Sequence, residues 1–507
     1  PTWALLLAQS CRSIGFKVAI LDVNAEQIEH EEVYNRILKL KPRLLCFVVY
    51  GQNPNSGTTS MIGALALSNA IKQSDFGGKI AFVGSHTSAL PMEVLAYKSV
   101  DIVLLNEGVY ALHNLLKSNL SSDLATINGI GYKKRGPADH PIPVLNPPQS
   151  VVPQDKMDID LPGYAWDLLP FKNKPLDLYR APMWHAEYDF KKRSPYASIQ
   201  TSLGCVFKCN FCMINIVNRN NTDEVGVASD FSSMRFWSPE FIIKEFDKLI
   251  SMGVRTIRIV DEMFLLNPKY YLPLCKELAK RNKDDSLRIW SYSRIDTVKR
   301  HEILKLVRSA GIKWLALGIE SGEKSVRLEV DKGKFEDVDV KKVINKVHEA
   351  GINVMANYIY GLPGDTKETI EKTFKLSLEL CTAGWNTYGA MALPGSFLYK
   401  DALEKGIKLP ENYEGYSFHS YETLPLPTEK LSAKEIITLR DEAFNSYHNH
   451  KPFLQLIEKK FGKYWLNLMS VKSIENATLS QRFGEDTSCF LNPSSSASRG
   501  PNFILSI

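Results

Sequence analysis

Ten short, continuously apolar runs, most of them spaced by enough chain for a helix, restrict this sequence to a small set of α/β folds. Four come first: "KVAILD" (17–22), "LLCFVVY" (44–50), "KIAFVG" (79–84) and "DIVLLNEG" (101–108). Six follow: "YASIQTS" (196–202), "TIRIVDE" (256–262), "LRIWSYSR" (287–294), "KWLALGIES" (313–321), "INVMANYIYG" (352–361) and "NTYGAMALP" (386–394). Unbroken apolar runs mark strands covered on both faces, as in parallel sheets, and each intervening stretch serves as a crossover helix. The first four predict an open, doubly wound Rossmann-like domain over residues 1–125, whose first strand is expected upstream of Pro1. The chain opens without an initiator Met on "PTWALLLAQSCRSIGF", which reads as a helix ending at Gly15 and lacks the basic start and cleavage site of a signal peptide. The later six predict a partial (β/α)6 barrel over 196–404 in preference to a closed barrel of eight. Its clearest helix starts at Ser238–Pro239 and stops at Gly253; another is expected from Asp365, with Glu368 completing a capping box.

Between the two, residues 126–195 are dense in proline, aspartate and aromatics and read as an irregular connecting segment. Residues 405–480 read as mostly helical, and 481–507, containing "NPSSSASRGPNF", have a disordered composition. At 507 residues, with 44% apolar and 23% charged, two to four globular domains are expected. A net charge of +6 from 62 basic and 56 acidic residues forms no basic field, so nucleic acid is not an expected partner, and "KKRSP" (191–195) reads as a solvated loop. No window is apolar for the length of a membrane-spanning helix. Eight cysteines are too few for a disulfide scaffold, and a reducing, cytoplasmic setting is expected.

Three of those cysteines are crowded into "TSLGCVFKCNFCMIN" (201–215). Thiolates at Cys205, Cys209 and Cys212 reach three corners of a cubane [4Fe–4S] cluster from one tight loop, leaving one iron open. The nearest other cysteine, Cys275, is on a predicted helix far off in sequence. Structural zinc is the competing reading, but it wants four ligands and no nearby histidine or cysteine supplies the fourth.

CxxxCxxC with Phe211 before its last cysteine resembles the cluster motif of the radical S-adenosylmethionine (radical SAM) superfamily, and the resemblance extends over roughly 196–400. It implies that the open iron chelates the amino and carboxylate groups of SAM, which an injected electron cleaves to methionine and a 5′-deoxyadenosyl radical. Strand-end residues then acquire roles. Asp261 and Glu262 are candidates for the SAM ammonium, and Arg294 for its carboxylate, with pairing to Asp296 as the plain alternative. Glu320 and Ser321 of "GIESG" are candidates for ribose and methionine contacts. Gly361 of "YGLPG" marks the backbone approach to adenine, and Phe211 completes the SAM-binding set.

The loops closing the N-terminal strands, "YGQNPNSGTTS" (50–60), "GSHTSALP" (84–91) and "NEG" (106–108), are rich in small residues. Placed before such a barrel, with "RSPYASIQTSLGC" as the join, they resemble the cobalamin-binding domain of the B12-dependent radical SAM class. Ser56, Thr58, Thr59, Gly84, Ser85 and Thr87 are then candidates for cobalamin contacts. The DxHxxG signature that places a histidine under cobalt is absent, and His86 reads as a polar contact or packed residue. The resemblance implies a C-methyltransferase: one SAM methylates cobalamin, a second supplies the radical that activates an unactivated carbon, and the methyl group passes to that carbon. It implies as well a small-molecule substrate and an external low-potential electron donor of the flavodoxin or ferredoxin type. B12-assisted ring formation or oxidation without methyl transfer is the runner-up, and a non-catalytic iron–sulfur or zinc protein the reading from another class. The aromatic stretch "YEGYSFHSYETLPLPTEKLSAKEI" is read as interface packing rather than as a pocket.

Overall fold

A computed structural model describes the chain apart from residues 1, 27, 51–53, 75, 121–122, 138–139, 172–194, 220–224, 299–300, 331–337, 464–465 and 467–502. Outside the described residues therefore lie the "KKR" run, much of the connecting segment and most of the tail. The strands are β1 (Ala19–Asp22), β2 (Leu44–Val49), β3 (Lys79–Gly84), β4 (Ile102–Leu104), β5 (Ile130–Arg135), β6 (Pro141–Leu145), β7 (Tyr196–Ile199) and β8 (Ser202–Cys205). They continue with β9 (Ser233–Phe236), β10 (Thr256–Ile259), β11 (Arg288–Arg294), β12 (Ile312–Glu320), β13 (Asn353–Tyr360), β14 (Gly384–Gly389) and β15 (Phe503–Ser506).

The N-terminal sheet has the order β1-β15-β2-β3-β4-β5-β6. The two faces of β2 show why its run is unbroken. Leu45, Phe47 and Val49 pack with Val33, Ile37, Met61 and Ala64 of the helices His30–Leu40 and Gly57–Lys72. Leu44, Cys46 and Val48 pack on the other side with Leu5 and Leu112 of the helices Thr2–Ser13 and Val109–Lys117. Each strand residue therefore meets a helix layer.

Three features depart from the sequence expectation. Within the segment expected to be irregular, Ile130–Arg135 and Pro141–Leu145 form β5 and β6, which extend the sheet antiparallel from β4. Pro141 and Pro143, which disguise β6, sit on the outermost strand, where a missing N–H breaks no inner ladder. The position where the doubly wound order calls for its first strand is held by β15, antiparallel to both β1 and β2. Segment 481–507 thus ends in a strand with Ile504 and Leu505 fully buried, one on each face.

The second sheet runs β14-β13-β12-β11-β10-β7, all parallel, the expected six-stranded partial barrel. Outward residues Ile289, Leu315, Leu317, Val354 and Ala356 face the crossover helices. Inward, Trp290, Trp314, Ala316 and Met355 cluster near the N-terminal end. Trp290 stacks on Trp314 at 5.4 Å and Trp314 on Phe461 at 6.1 Å, so the helix Lys451–Phe461 helps close the floor. The helix Pro239–Ser251 starts as expected, with the Ser238 hydroxyl accepting from Phe241 N–H. The later cap is one residue on: Thr366, not Asp365, caps the helix Lys367–Leu380. Among the described residues no helix is long and apolar enough to cross a membrane.

Candidate active site

The run "YASIQTS" does not continue as one strand. It breaks at Gln200–Thr201 and restarts as β8, which pairs with β9 and delivers Cys205. Asp261, just past β10, makes the break: its carboxylate accepts from Thr201 N–H (2.5 Å), Thr201 Oγ1–H (2.6 Å) and Ser202 Oγ–H (2.7 Å). Burial pushes this carboxyl up to about 6 against those hydrogen bonds. With both oxygens engaged, Asp261 orients the approach to the cysteine loop and is not free for an ammonium, contrary to its predicted role.

The loop is pinned at several points. Gly204 adopts φ +86°, and a Cβ there would lie 2.2 Å from Ser233 O and 2.5 Å from Asn218 Nδ2, so only glycine fits before Cys205. Cys205 N–H donates to Asn215 Oδ1 (2.9 Å), whose Nδ2–H donates back to Cys205 O (2.7 Å). Cys212 N–H donates to Cys209 O (3.2 Å), closing the turn. Asn210 N–H donates to Val330 O and its carbonyl accepts from Leu398 N–H, both at 3.0 Å. Cys205, Cys209 and Cys212 form no disulfide, and each residue is half-buried. Burial pushes the Cys212 thiol well up, with the nearby charges of Cys205 and Glu262 adding to it. Among the described residues no three His, Cys, Asp or Glu side chains converge on one point as a single metal ion requires, whereas a cubane takes each thiolate on a different iron. Cys275 lies in the apolar core, its thiol pushed up to about 12 by burial. The residues fit a three-cysteine [4Fe–4S] cluster.

The other predicted SAM contacts divide. Glu262 is the available acid: burial, then Asp261, raise its carboxyl to about 8, with Arg258 opposing. Arg294 takes the alternative weighed for it, donating from Nε to Asp296 Oδ1 (3.0 Å) and from Nη2 to Asp296 Oδ2. Its guanidinium also lies 3.6 Å from the ring centre of Phe207, inside the cysteine loop. Glu320 ends β12 at φ +63°, a strained bulge, with its carboxylate folded over Gly318 where a Cβ would come within 2.4 Å of Oε1. Ser321 is structural: its hydroxyl accepts from Glu323 N–H (3.1 Å) and its carbonyl from Arg327 Nη1–H (2.7 Å). At the "YGLPG" turn, Gly361 N–H and Leu362 N–H both donate to Asp365 Oδ2 (3.0 and 3.1 Å). A Cβ on Gly361 would strike Ile436 at 2.6 Å, so this glycine serves a close packing. Phe211 packs between Leu362, Ala390 and Ala392, beside the ends of β13 and β14.

The small-residue edge of the N-terminal sheet faces the cysteine loop. The short helix Ser85–Ala89 packs on the turn 214–218, and the helix Gly57–Lys72 on the turn 413–416. A Cβ on Gly57 would lie 2.0 Å from Ser85 Oγ and one on Gly84 2.1 Å from Val49 O. Ser56 O accepts the Thr59 and Ser60 hydroxyls, both at 3.0 Å. His86 is packed, with Nδ1 3.1 Å from Thr58 Oγ1, Nε2 3.3 Å from Glu93 and Tyr413 edge-on at 5.1 Å. Neither ring nitrogen is left for a metal. Thr87 is buried and its hydroxyl has no hydrogen-bond partner among the described residues. Gly57 and Gly84 let the loops pack closely, and the hydroxyls with the unspent Thr87 donor suit a cobalamin held without a histidine on cobalt.

Two contributors were invisible in the sequence. Asn55 joins the edges: its Oδ1 accepts from Met213 N–H (3.2 Å) and its side chain hydrogen-bonds the Cys212 thiol. Tyr388, on the inner face of β14, lies 4.9 Å from Phe418 and 5.6 Å from His419, which burial lowers to about 4. Both contacts join elements distant in sequence, so no local pattern announces them.

An α/β domain with a ligand edge of small residues, docked on a partial barrel with three clustered thiols at its strand ends, defines a two-cofactor protein. The Radical SAM superfamily model matches residues 199–377 and the B12 binding domain model residues 1–116. Residues 199–377 thus carry a radical SAM domain, preceded by a B12-binding domain. It is 22% identical over 406 residues to the anaerobic magnesium-protoporphyrin IX monomethyl ester cyclase of Cereibacter sphaeroides, covering 76% of this chain and 58% of that protein. With an uncharacterized methyltransferase of Pyrococcus horikoshii it shares 24% identity, over 79% of this chain and 78% of the relative. Its fold resembles that of the radical SAM methyltransferase TsrM from Kitasatospora setae with cobalamin and a [4Fe–4S] cluster bound. The TM-score is 0.62 at 18% identity, covering 81% of this chain and 77% of that one.

Proposed function

We propose that this chain is a cobalamin-dependent radical SAM C-methyltransferase acting on an unactivated carbon of a small molecule. The observation that carries the reading is the seam itself: Asn55, from the loop after β2, touches Cys212 and Met213 of the cysteine loop. A methyl carrier and a radical source are useful to one substrate only if they share a site.

When bound, the cluster and cobalamin supply the electron that cleaves SAM and the carriage of the methyl group. Cys205, Cys209 and Cys212 would hold the cluster through three of its irons, and the fourth would be open to the SAM amino and carboxylate groups. Glu262 is the acceptor for the SAM ammonium, which favours its ionised form against burial. Arg294 reaches the SAM carboxylate by sharing its guanidinium with Asp296. Glu320 meets the ribose from over Gly318, and Phe211 walls the adenine. Thr87, and Ser56 and Thr59 at the start of the helix that packs on that of Thr87, offer hydroxyls to the cobalamin tail. A low-potential flavodoxin- or ferredoxin-type protein delivers the electron, in a reducing cytoplasm where free cysteines persist.

The cyclase relative favours a second reading, B12-assisted oxidation or ring closure without methyl transfer. One experiment separates the two. Protein reconstituted anaerobically with iron, sulfide and hydroxocobalamin is given SAM and a low-potential reductant, and 5′-deoxyadenosine and S-adenosylhomocysteine are quantified in wild type and Cys209→Ala. Both products, with 5′-deoxyadenosine lost in the variant, are expected. 5′-Deoxyadenosine without S-adenosylhomocysteine selects the second reading, and intact SAM with zinc in place of iron refutes both.

A further inference from the structure

A chain of buried polar groups links the N-terminal domain to the first cysteine of the loop. It starts at Glu107, in the loop after β4. Glu107 Oε2 accepts from Arg235 Nη2–H (2.8 Å), Arg235 being on β9. The same nitrogen donates to Asn218 Oδ1 (2.9 Å). Asn218 Nδ2–H donates to Asn215 Oδ1 (2.9 Å), the oxygen that also receives Cys205 N–H. Arg235 Nη1–H donates to Val152 O (2.6 Å), and Val152 N–H returns to Glu107 Oε1, closing a ring around the ion pair. Beside it, Asn106 and Arg219 are tied twice: Arg219 Nε–H donates to Asn106 Oδ1 (3.1 Å) and Asn106 Nδ2–H to Arg219 O (2.9 Å). Every side chain in the chain is buried.

The donor–acceptor direction is fixed along its whole length. Asn215 cannot flip without losing both bonds to Cys205, and Asn218 cannot flip without presenting its amide donors to Arg235 and its oxygen to Asn215 Oδ1. Arg235 donates only, so its position sets the amide orientation of Asn218, and Glu107 sets the position of Arg235. We propose that Glu107, Arg235 and Asn218 are positioning residues through which the cobalamin domain fixes the orientation of cluster ligand Cys205, so that a domain displaced at Glu107 loosens the cluster. The proposal rests on Cys205, Cys209 and Cys212 being cluster ligands. Second-layer partners of this kind orient first-layer ligands and tune how tightly the metal is held.

The test uses the full chain, reconstituted anaerobically, as wild type, Glu107→Gln, Asn218→Ala and the double variant. Read out are iron and sulfide per chain, the rate of iron loss to EDTA, and the electron paramagnetic resonance spectrum of the reduced cluster. Each single variant is expected to lose iron about ten-fold faster than wild type with an altered spectrum. The double variant is expected to be no faster than Asn218→Ala alone, because the relay is already cut. Effects that multiply in the double variant, or wild-type behaviour of Glu107→Gln, overturn the relay. If Glu107→Gln fails to fold by circular dichroism, Arg235→Lys is substituted for it: the ammonium keeps a charge for Glu107 but lacks the fork that also reaches Asn218. It should show the same accelerated iron loss, and wild-type retention overturns the proposal. A wild type that assembles no cluster refutes the cluster assignment itself, whereas a stable cluster indifferent to all variants refutes the relay alone.

Discussion

Gly204 and Gly253 adopt nearly the same backbone, φ +86° and +84°, but differ in what a side chain would meet. A Cβ on Gly253 has nothing within 4 Å, whereas one on Gly204 lies 2.2 Å from Ser233 O and 2.5 Å from Asn218 Nδ2. Gly253→Ala therefore reports the backbone strain alone, about 1 kcal/mol after the unfolded-state entropy gain is set against it. Gly204→Ala adds a clash with two groups that cannot retreat. Ser233 pairs with Cys205 in the β8–β9 ladder, and Asn218 is held by Asn215. Relieving it requires opening the strand pair by about 1 Å, at the expense of roughly two ladder hydrogen bonds and local packing, for a total of about 3–5 kcal/mol. Thermal melting of the apoprotein by circular dichroism should fall by roughly 10 °C in Gly204→Ala and by about 3 °C in Gly253→Ala. Iron per chain after reconstitution should drop only in the former, because Cys205 moves with the ladder. Equal melting points and full iron in both variants would refute the argument that this glycine is set by contact.

Asp365, raised by burial from 3.8 to about 6, binds a proton in the folded state that the unfolded chain has already released, so stability falls as pH rises from about 4 to 6. The fall is up to about 3 kcal/mol. It should flatten in Asp365→Asn, whose single oxygen still accepts from Gly361 and Leu362; denaturant titrations across that window check it. Cys275→Ala should cost about 1–2 kcal/mol in chemical denaturation yet leave iron content unchanged, since its thiol packs in the core. Leu505→Asp places a carboxylate between the N-terminal sheet and a helix layer. Limited proteolysis should then cut within residues 1–117 well before the barrel, and an unaltered digestion pattern would contradict the placement of β15.

What the sequence disclosed was whatever repeats locally. Each of the ten apolar runs contributes a strand, because burial on both faces leaves an unbroken signature. β6 and β15 escaped it: proline masks the first, and four residues after a polar tail are too few to register. At the site, the cysteine spacing was plain, but side-chain assignments needed partners that only the fold supplies. Asp261 looked like a ligand until Thr201 and Ser202 turned out to occupy it. Ser321 looked like one until its hydroxyl proved to accept from Glu323 N–H and to lie 3.2 Å from Thr373 Oγ1. Arg294 shows the reverse, since its competing partner Asp296 was two residues away and visible from the outset. Asn55 and Tyr388 had no local signal, because their partners come from other domains or distant strands.

The placement of β15 has a consequence for the order of events during synthesis. Residues 503–506 lie between β1 and β2 in the N-terminal sheet and pair with both. At about 5–20 residues per second, roughly 450 residues separate the emergence of β2 from that of β15, an interval of about 20–90 seconds. The β1-β15-β2 ladder joins positions about 450 residues apart, the non-local kind of contact that forms slowly. The barrel, by contrast, draws its strands from one continuous stretch and is complete by residue 389. The β1-β15-β2 pairing is therefore among the last contacts this chain makes, after every strand of the barrel has been translated.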